Sequence, residues 1–260
     1  MSDFSVIITG ASRGLGRAAA LILARAGVAL TLNARSAPAL VHLQQEISDA
    51  GGRAVILPGD ISDVDVAGRV VAAAVSAFGG LEALINNAAA LEPVARIADS
   101  DPALWLRHLQ VNVWAPFLLT QAALPHLRRA PHGRVINVSS GASVRAVPGW
   151  SAYCTSKAAI NMFTAVLAAE EPEITALALR PGVINTSMQQ TLREQGADAM
   201  SPETYQRYVQ LHREGGLLPP EKPGRALAAL ALAAPRAWSG RFIQWNAPEV
   251  QELVADLALA

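Results

Sequence analysis

The chain has 260 residues, of which 52% are apolar and 16% charged, and its 21 basic and 21 acidic side chains give a formal net charge of zero. This length suits a single α/β domain with a sizeable core. A neutral chain offers no general field for nucleic acid or an anionic membrane, so neither is expected as a partner. The longest alanine- and leucine-rich stretch, 226–234, is too short to span a bilayer.

The start of the chain and its few cysteines and histidines indicate where the protein is located and whether it holds a disulfide or a metal. Met1 to Phe4 lead straight into an apolar strand pattern without a basic, apolar secretory segment, so we expect a cytoplasmic protein. Cys154 is the single cysteine, which excludes an internal disulfide or a cysteine-based zinc cluster. The histidines lack the spacing of a helical zinc site, and we expect surface or capping roles for His42, His108, His126, His132 and His212. No metal site is therefore predicted.

Strand and helix patterns alternate, which predicts a Rossmann-type doubly wound parallel sheet with helices on both faces. Apolar, β-branched runs predict seven strands near 4–8, 28–33, 53–57, 81–86, 133–139, 174–180 and 240–245. Helical patterns lie near 13–26, 38–50, 63–78, 101–129, 152–170 and 222–234. No repeat or linker divides the chain, so one domain over 1–260 is expected. Residues 187–221, with one helical stretch at 202–214, form the candidate substrate lid.

The first strand runs into a glycine turn and then a helix. The turn reads Thr9-Gly10-Ala11-Ser12-Arg13-Gly14-Leu15-Gly16. Its glycines let the backbone approach a pyrophosphate closely, and the helix N-terminus adds unpaired N–H groups and the positive end of its dipole. A merely flexible loop is the alternative, which the flanking strand and helix disfavour. The segment predicts a dinucleotide site formed by Gly10, Ser12, Arg13, Gly14, Leu15 and Gly16.

A tyrosine and a lysine stand four residues apart later in the chain. Lys157 follows Tyr153 in Ser-Ala-Tyr-Cys-Thr-Ser-Lys. Helix positions i and i+4 share a face, so an ammonium beside the phenol is expected to favour the ionised form and lower the pKa of Tyr153. Ser140 ends a strand pattern thirteen residues before Tyr153, and a strand-end hydroxyl facing this pair suits proton transfer. For an isolated motif, a surface helix pair is the alternative.

These motifs together resemble those of the short-chain dehydrogenases/reductases. The matching segments are Thr9-Gly10-x-x-x-Gly14-x-Gly16, Asn86-Asn87-Ala88-Ala89, Asn112, Ser140, Tyr153-x-x-x-Lys157 and Pro181-Gly182-x-x-x-Thr186. They cover nearly the whole chain in the order typical of the family. Ala89 stands where the family usually has glycine, and a methyl group is costly there only if the backbone needs a positive φ.

The resemblance implies an NAD(P)-dependent oxidoreductase that transfers hydride from C4 of the nicotinamide to a carbonyl carbon. Tyr153 would give the proton, Ser140 would orient the substrate oxygen, and Lys157 would hold the nicotinamide ribose. Asn112 would secure a water that links Lys157 to solvent, with a purely structural asparagine in a helix kink as the alternative. Ser139 is the competing serine, and we assign it to hydrogen bonding at the strand end.

The end of the second strand indicates which cofactor would bind. Residues 30–35 read Leu-Thr-Leu-Asn-Ala-Arg and lack the carboxylate that binds an adenosine ribose 2′-hydroxyl. Arg13 and Arg35 could instead close on a 2′-phosphate, because guanidinium forms strong charge-assisted hydrogen bonds with phosphate. NADPH is therefore favoured over NADH, with solvated surface arginines as the alternative.

Further cofactor contacts are implied by the resemblance alone. They are Asp60 and Ile61 beside the adenine, Asn86 and Ala88 along the ribose, Pro181 and Gly182 in their shared motif, and Ile184 and Thr186 near the nicotinamide carboxamide. Asp60 could equally cap the helix that follows it. Thr186 is also a favoured N-cap residue.

A narrower resemblance covers only the second half of the chain. Segments 149–154, 168–172 and 185–190 are similar to those of sepiapterin reductases and related diketone reductases. This implies that Trp150 and Met188 flank the substrate as an apolar platform, with core packing as the alternative. Sepiapterin reductases anchor the pterin through an aspartate near the C-terminus. Asn246 is the nearest match here, and Glu249 could substitute only if the terminal loop turns inward, so weak activity on sepiapterin is expected.

The sequence therefore predicts an NADPH-dependent carbonyl reductase that acts on a small or cyclic ketone or an α-dicarbonyl. An alcohol dehydrogenase stays open, because the same site catalyses both directions. A non-catalytic NADPH-sensing regulator also stays open, although such a protein would not need the Ser140, Tyr153 and Lys157 set. Members of the resembled family usually form dimers or tetramers, so the resemblance implies a homodimer or homotetramer formed through the helices across 101–129 and 152–170. Their apolar residues could pack on a copy or within one subunit; they include Trp114, Phe117, Leu118 and Phe163.

Overall fold

A computed structural model describes residues 4–259, which fold around one parallel sheet. Its strands are β1 (Ser5–Thr9), β2 (Ala29–Ala34), β3 (Arg53–Pro58), β4 (Ala83–Asn86), β5 (Arg134–Val138), β6 (Thr175–Arg180) and β7 (Phe242–Gln244). The order across the sheet is β3-β2-β1-β4-β5-β6-β7. The predicted doubly wound sheet is confirmed. Met1 to Asp3, on which the expected lack of a secretory segment partly depends, lie outside the described residues.

Helices connect successive strands and cover both faces of the sheet. They are α1 (Gly14–Arg25), α2 (Ala37–Asp49), α3 (Val64–Phe78), α4 (Pro102–Leu109), α5 (Ala115–Leu127), α6 (Ser151–Glu170), α7 (Ser187–Gln195), α8 (Pro202–Arg213), α9 (Glu221–Ala233) and α10 (Pro248–Asp256). A π turn, Gln110–Trp114, separates α4 from α5. Within residues 4–259, none of these helices combines the length and the apolar character that a bilayer crossing requires.

The core consists of two apolar layers, one on each face of the sheet. Side chains of a strand alternate between the faces, so Ile8 enters the layer that includes α1 and α9, while Ile7 enters the layer that includes α3 and α5. Both faces are therefore buried, which explains the nearly continuous apolar runs of the strands. This packing fixes the strands and leaves the loops at their carboxyl ends to form a site.

The structure corrects the predicted helices in three places. The helix expected over 101–129 is two helices, because the π turn at 110–114 interrupts the regular hydrogen-bond pattern. The lid segment 187–221 contains α7 and the start of α9 in addition to the predicted α8. The sequence pattern missed α7 because this helix is mostly polar, with only Gln189 and Leu192 buried. The pattern also missed the short helix α10.

Candidate active site

The candidate site lies where the strand order reverses, at the carboxyl ends of β1 and β4. Open parallel sheets bind ligands outside such switch points. Here the two loops are tied together, because Thr9 Oγ1 accepts hydrogen bonds from the backbone N–H groups of Asn87 and Ala88, each at 3.0 Å. Asn87 Nδ2 donates to the backbone oxygens of Thr9 at 2.9 Å and Gly10 at 3.2 Å. The Asn-Asn-Ala-Ala segment thus buttresses the glycine turn.

Close approach of the backbone explains the glycines of the turn. Gly10 has φ +63°, and a Cβ there would lie 2.9 Å from Ala88 Cα. A Cβ at Gly16 would lie 2.5 Å from Asn87 Nδ2, so neither position admits a side chain. Arg13 occupies the N-cap position of α1 without a side-chain cap, which leaves the first N–H groups of that helix to an anion. Other members of the predicted phosphate loop are placed as follows: Ser12 is half-buried in the turn, Gly14 has φ +55°, and Leu15 packs into the core.

The residues predicted to contact the adenosine end of the cofactor carry positive charge. Arg13 and Arg35 are exposed, and neither forms an ion pair within the part of the chain that the structure describes. Asn33, the residue before the last in β2, is buried and donates to the backbone oxygens of Leu57 at 2.9 Å and Gly59 at 3.3 Å. The neutral amide of Asn33 therefore lies two residues before Arg35 and bonds to the end of β3. Residues 30–35 contain no carboxylate.

Asp60 has a different structural role from the predicted helix cap. Asp63 caps α3 by accepting from Asp65 N at 2.8 Å, so the capping alternative for Asp60 is wrong. Asp60 instead accepts from Ser62 N at 3.0 Å and Ser62 Oγ at 2.7 Å, and it forms an ion pair with Arg107. Partial burial alone would raise the pKa of Asp60, but these hydrogen bonds and the guanidinium lower it overall. The carboxylate stays charged at neutral pH.

Two other residues that were predicted to contact the cofactor have side chains buried in the core. The Asn86 side chain is buried, and its Nδ2 donates to Asn137 Oδ1 at 2.8 Å and to Thr120 Oγ1 at 3.3 Å. Ile61 is 5% exposed and packs in the layer with α3. Both can border the groove only through the backbone or a small edge of the side chain. Ala89 does not have a positive φ, so its methyl group carries no backbone strain.

The segment after β6 folds over the glycine turn. Gly182 has φ +82° and follows the buried Pro181, and a Cβ on Gly182 would lie 2.7 Å from Leu218 Cδ1. Ile184 forms a parallel bridge with Leu218, which joins the chain just before the candidate lid segment to the last part of that segment. Thr186 occupies the N-cap position of α7, yet its hydroxyl makes no capping bond. A Cβ on Gly14 would lie 3.0 Å from Thr186 Cγ2, so the start of the lid reaches the phosphate loop.

Ser140, Tyr153 and Lys157 come together in the structure as predicted. Tyr153 and Lys157 lie on α6 and are 7% and 3% exposed. Lys157 Nζ lies 5.7 Å from the centroid of the Tyr153 ring and donates to Val138 O at 2.7 Å. The Ser140 side chain hydrogen-bonds to Tyr153 and accepts from Ala142 N at 3.2 Å. A hydroxyl, a phenol and an ammonium thus share one buried corner beside β5.

The electrostatics of this corner differ from the expectation. Burial raises the pKa of Tyr153 to about 12, and the hydrogen bond from Ser140 opposes this without offsetting it. Burial lowers the pKa of Lys157 to about 8. The predicted lowering of the Tyr153 pKa by Lys157 is therefore wrong in this structure, because loss of water around a phenolate dominates and Lys157 Nζ binds the Val138 carbonyl. Tyr153 is a protonated donor at neutral pH.

Asn112 lies at the π turn, as the structural alternative required. It is 1% exposed, its Oδ1 accepts from Ala90 N at 2.8 Å, and its Nδ2 donates to Ala90 O at 2.9 Å. The side chain thereby holds the loop after β4 against the helix break. Ser139 Oγ donates to Asn161 Oδ1 at 2.6 Å, which confirms its assignment to hydrogen bonding at the strand end.

Aromatic and sulfur-containing side chains cover the other side of Tyr153. The Trp150 ring lies edge-on to Tyr153 at 5.6 Å between centroids and 5.5 Å from the Tyr208 ring. Met188 is half-buried against the same cluster, which also includes Met200 of the lid segment. Tyr208 is not among the predicted site residues, although an aromatic residue in the predicted lid helix was a usable signal.

The C-terminal candidates for substrate contact lie farther out. Asn246 is exposed in the turn after β7, at the same edge of the sheet as the site. Glu249 accepts from Arg241 Nη2 at 2.6 Å, so its carboxylate is paired with a guanidinium in this structure. Within residues 4–259, no group of three or more His, Cys, Asp or Glu side chains could hold a metal. The expectation of surface histidines is wrong for His108, which is 1% exposed.

Comparison with known proteins identifies the family. The model of the short chain dehydrogenase family matches residues 5–197. The chain belongs to the short chain dehydrogenases. It is 35% identical over 252 residues to the (S)-benzoin-forming benzil reductase of Saccharomyces cerevisiae, covering 93% of this chain and 95% of that protein. The sepiapterin reductase of Meriones unguiculatus is 37% identical over 226 residues, covering 82% of this chain and 85% of the relative.

A solved structure gives the same result at the level of the fold. The KRED1-Pglu enzyme has a TM-score of 0.88 and 40% sequence identity to this dehydrogenase, and the match covers 92% of this chain and 100% of that one. The predicted likeness to diketone and sepiapterin reductases is confirmed. This dehydrogenase is an NAD(P)-dependent oxidoreductase.

Proposed function

We propose that this dehydrogenase reduces small or cyclic ketones and α-dicarbonyls with NADPH, and that Tyr153 is the proton donor. The observation that carries the proposal is a protonated, buried Tyr153 that bonds to Ser140 on one side and faces Trp150 on the other. A donor of this kind suits carbonyl reduction, because the developing alkoxide needs a proton. The likeness to a benzil reductase supports a dicarbonyl substrate.

The groove fits a nicotinamide dinucleotide. Gly10 and Gly16 leave space that a Cβ would fill, and the uncapped start of α1 presents N–H groups towards it. When bound, the reduced cofactor would supply the hydride for the substrate carbonyl carbon. Phosphate would lie on the glycine turn, and Lys157 would hold the nicotinamide ribose through its ammonium. Thr186, against the glycine turn, would border the nicotinamide.

Within that arrangement, Tyr153 and Ser140 act on the substrate oxygen. Ser140 would orient the oxygen by donating a hydrogen bond, and Tyr153 would release its phenolic proton to it. The charged Lys157, with Nζ 5.7 Å from the ring centroid, would offset part of the cost of the buried phenolate, and a proton from solvent would return to Tyr153 to complete the cycle. Asn112 would contribute by keeping the loop after β4 in place beside Lys157.

The preference for NADPH rests on charge at the adenosine end. Exposed Arg13 and Arg35 flank the groove, and neutral Asn33 stands where a carboxylate would repel a 2′-phosphate. Guanidinium groups form bidentate, charge-assisted hydrogen bonds with phosphate oxygens. These residues would therefore discriminate between the two nicotinamide cofactors.

The lid over 187–221 would select the carbonyl substrate. The bridge between Ile184 and Leu218 joins the chain just before the lid to its last part, so the intervening helices would move as a unit over the aromatic cluster. Trp150, Met188 and Tyr208 would contact apolar substituents of the ketone. Asn246 would border larger, polar substrates at the rim.

A homodimer or homotetramer is part of the same proposal. Large apolar side chains are exposed on α5 and α6, and the Trp114 and Phe117 rings stack with centroids 5.3 Å apart. Trp114 is 44%, Met162 66% and Val166 44% exposed, whereas Leu118 is buried and Phe163 half-buried. Light scattering should give at least twice the subunit mass of 27.2 kDa at micromolar concentration. Cytoplasmic location stays a prediction from the sequence.

A screen with purified enzyme tests the reaction. Aryl, aliphatic and cyclic diketones, simple ketones and sepiapterin are each mixed with NADPH, and the loss of cofactor absorbance is followed, with NADH as a parallel series. We expect the highest kcat/KM for an α-dicarbonyl, with one carbonyl reduced in the product. Turnover of simple alcohols with NADP+ together with no reduction of any α-dicarbonyl or cyclic ketone by NADPH would contradict the proposal.

A further inference from the structure

His108 lies in α4, outside every motif that indicated the reaction, yet both of its ring nitrogens reach the active-site elements. Nδ1 is 2.7 Å from Glu92 O, and Nε2 is 2.9 Å from Ser156 Oγ and 2.8 Å from Asn112 Nδ2. The ring is 1% exposed. Its centroid is 6.0 Å from that of Tyr153, with the planes at 80°, which is an edge-to-face contact.

The partners determine which nitrogen carries the proton. The Glu92 carbonyl can only accept, so Nδ1 donates to it and Nε2 is left as an acceptor. Asn112 Nδ2 donates to Nε2, while its Oδ1 accepts from Ala90 N. Burial, aided by the nearby charge of Lys157, lowers the pKa of His108 to about 4. A neutral imidazole is what these contacts require, because an imidazolium has no acceptor for Asn112.

His108 therefore joins three elements around the reacting groups. Through Asn112 it contacts the π turn, and through Ser156 it reaches α6, where Ser156 Oγ also lies 2.9 Å from Tyr153 O. Through Glu92 it holds the loop whose next residues pair with the start of α6, since Ala95 N donates to Gly149 O at 3.0 Å. The contacts of His108 with Ser156 and Asn112 are buried, whereas the contact with Glu92 O is partly buried.

We propose that His108 is a positioning residue that sets the orientation of Tyr153 by tying Asn112, Ser156 and the Glu92 carbonyl together behind it. The inference rests on the proposed function, because it assigns His108 a role in that proton transfer. His108 touches neither substrate nor cofactor. An apolar side chain of similar size would fill the space but would leave the Asn112 Nδ2 hydrogen without its acceptor and the Glu92 carbonyl without its donor, which costs about 1 to 3 kcal/mol for each buried polar group left unpaired.

The test compares His108→Leu with His108→Gln in the full-length enzyme. Misplacement of a reacting group by about 1 Å can cost on the order of 100-fold in rate, so we expect kcat to fall roughly 10- to 100-fold in His108→Leu. KM and the NADPH dissociation constant should stay close to the wild-type values. His108→Gln should recover part of kcat, because Oε1 can accept from Asn112 Nδ2.

Two control variants separate positioning from general destabilisation. Thr164 is also buried on α6, where it accepts from Asn137 Nδ2 at 2.9 Å and donates to Ile160 O at 2.7 Å, away from Tyr153. Thr164→Val should lower Tm without a comparable loss of kcat. His42→Gln, at an exposed position on α2, should change neither. If His108→Leu keeps its kcat, or if His108→Gln is no better than His108→Leu, the proposal is overturned.

The positioning role of His108 and the proposed substrate class can fail separately in these measurements. The ratio of variant to wild-type kcat is measured with whichever carbonyl or alcohol the wild type turns over, so failure on diketones refutes only the proposed substrate class. NMR of the enzyme labelled with [15N]histidine needs no turnover. We expect His108 to remain a neutral Nδ1–H tautomer from pH 5 to 9, with an Nε2 signal that moves in Ser156→Ala. A His108 ring that titrates near its ordinary pKa, or an unmoved Nε2 signal, contradicts the inference.

Discussion

The two sides of the candidate site are built differently. On the cofactor side, hydrogen bonds from Asn87 and Thr9 fix the glycine turn, and a Cβ at Gly10 or Gly16 would clash with this frame. On the lid side, Trp150 and Tyr208 meet through apolar contacts, and the buried Trp150 Nε1 has no hydrogen-bond partner within residues 4–259. Replacing a residue that makes buried hydrogen bonds leaves its partners unpaired and is costly. Replacing an apolar residue by another of similar volume usually costs little stability. The reaction should therefore depend on the first side and the choice of substrate on the second.

Removing the proton donor should produce the largest loss of kcat. The cofactor side and the lid side of the site should both keep their structure. Tyr153→Phe keeps the buried ring and its contact with Trp150. Positioned acid catalysis is worth roughly 10² to 10⁴ in rate, and we expect a loss of this size in kcat. NADPH binding, followed by cofactor fluorescence, should be nearly unchanged. Wild-type turnover in this variant would refute the role of Tyr153.

Cofactor choice should change through the exposed arginine after β2. Loss of a charge-assisted hydrogen bond costs about 1.5 to 3 kcal/mol, so Arg35→Ala should weaken NADPH binding roughly 10- to 150-fold. NADH binding and the ranking of ketones should hardly change. Arg25→Ala is the matched control, because Arg25 is also exposed but ends α1 at the opposite edge of the sheet. Equal losses for both cofactors would show that Arg35 is structural.

The pH dependence of NADPH binding sharpens the cofactor side further. Because burial lowers the pKa of Lys157 to about 8, its ammonium is charged below that pH and neutral above it. Affinity that depends on this charge should fall by up to about tenfold per pH unit as pH rises through 8. Fluorescence titrations from pH 7.5 to 10 measure the effect. The profile of Lys157→Ala should be flat, and a flat profile in the wild type would remove Lys157 from ribose binding.

On the lid side, a change of Tyr208 should alter substrate ranking only. Aromatic pairs contribute about 0.5 to 1.5 kcal/mol beyond their buried area, so Tyr208→Leu should reduce kcat/KM for an aryl diketone by roughly 2- to 10-fold relative to an aliphatic one. The aliphatic diketone serves as the internal control, and NADPH affinity should be unchanged. A parallel loss on both substrates would show that Tyr208 supports the fold of the lid rather than its selectivity.

The smallest effect is expected at the rim. Asn246→Asp adds the charge that a carboxylate contact to a pterin would use, and Asn246 is exposed after β7. We expect a several-fold rise in the ratio of sepiapterin to diketone kcat/KM, with little change in Tm. A clear wild-type preference for sepiapterin would contradict the expected weak pterin binding.

Local patterns in the sequence predicted the fold and the position of the glycine turn between β1 and α1. Strand periodicity and the glycine turn can be recognised from residues that are close together in the chain. The four-residue spacing of Tyr153 and Lys157 places both on one face of a helix. The lid was harder, because α7 is stabilised by its position on the protein and has few apolar residues of its own. Its helical form follows from tertiary contacts that the sequence does not display.

Long-range desolvation explains the remaining errors. The raised pKa of Tyr153 arises from burial under Trp150 and the lid, which sequence spacing cannot measure. The burial of His108 depends on Glu92, Asn112 and Ser156, which meet only when α4, the π turn and α6 pack. The ion pair between Asp60 and Arg107 likewise joins residues far apart in the chain. Such contacts require the three-dimensional structure.

The most direct measurement compares the initial rates of diketone reduction by the wild-type enzyme with NADPH and with NADH under identical conditions. This experiment addresses both sides at once, since the glycine-turn side selects the cofactor and the lid side admits the dicarbonyl. We expect kcat/KM with NADPH to exceed that with NADH by roughly tenfold or more, which corresponds to at least one charge-assisted hydrogen bond. A preference for NADH, or no reduction of any α-dicarbonyl with either cofactor, would contradict the proposed function.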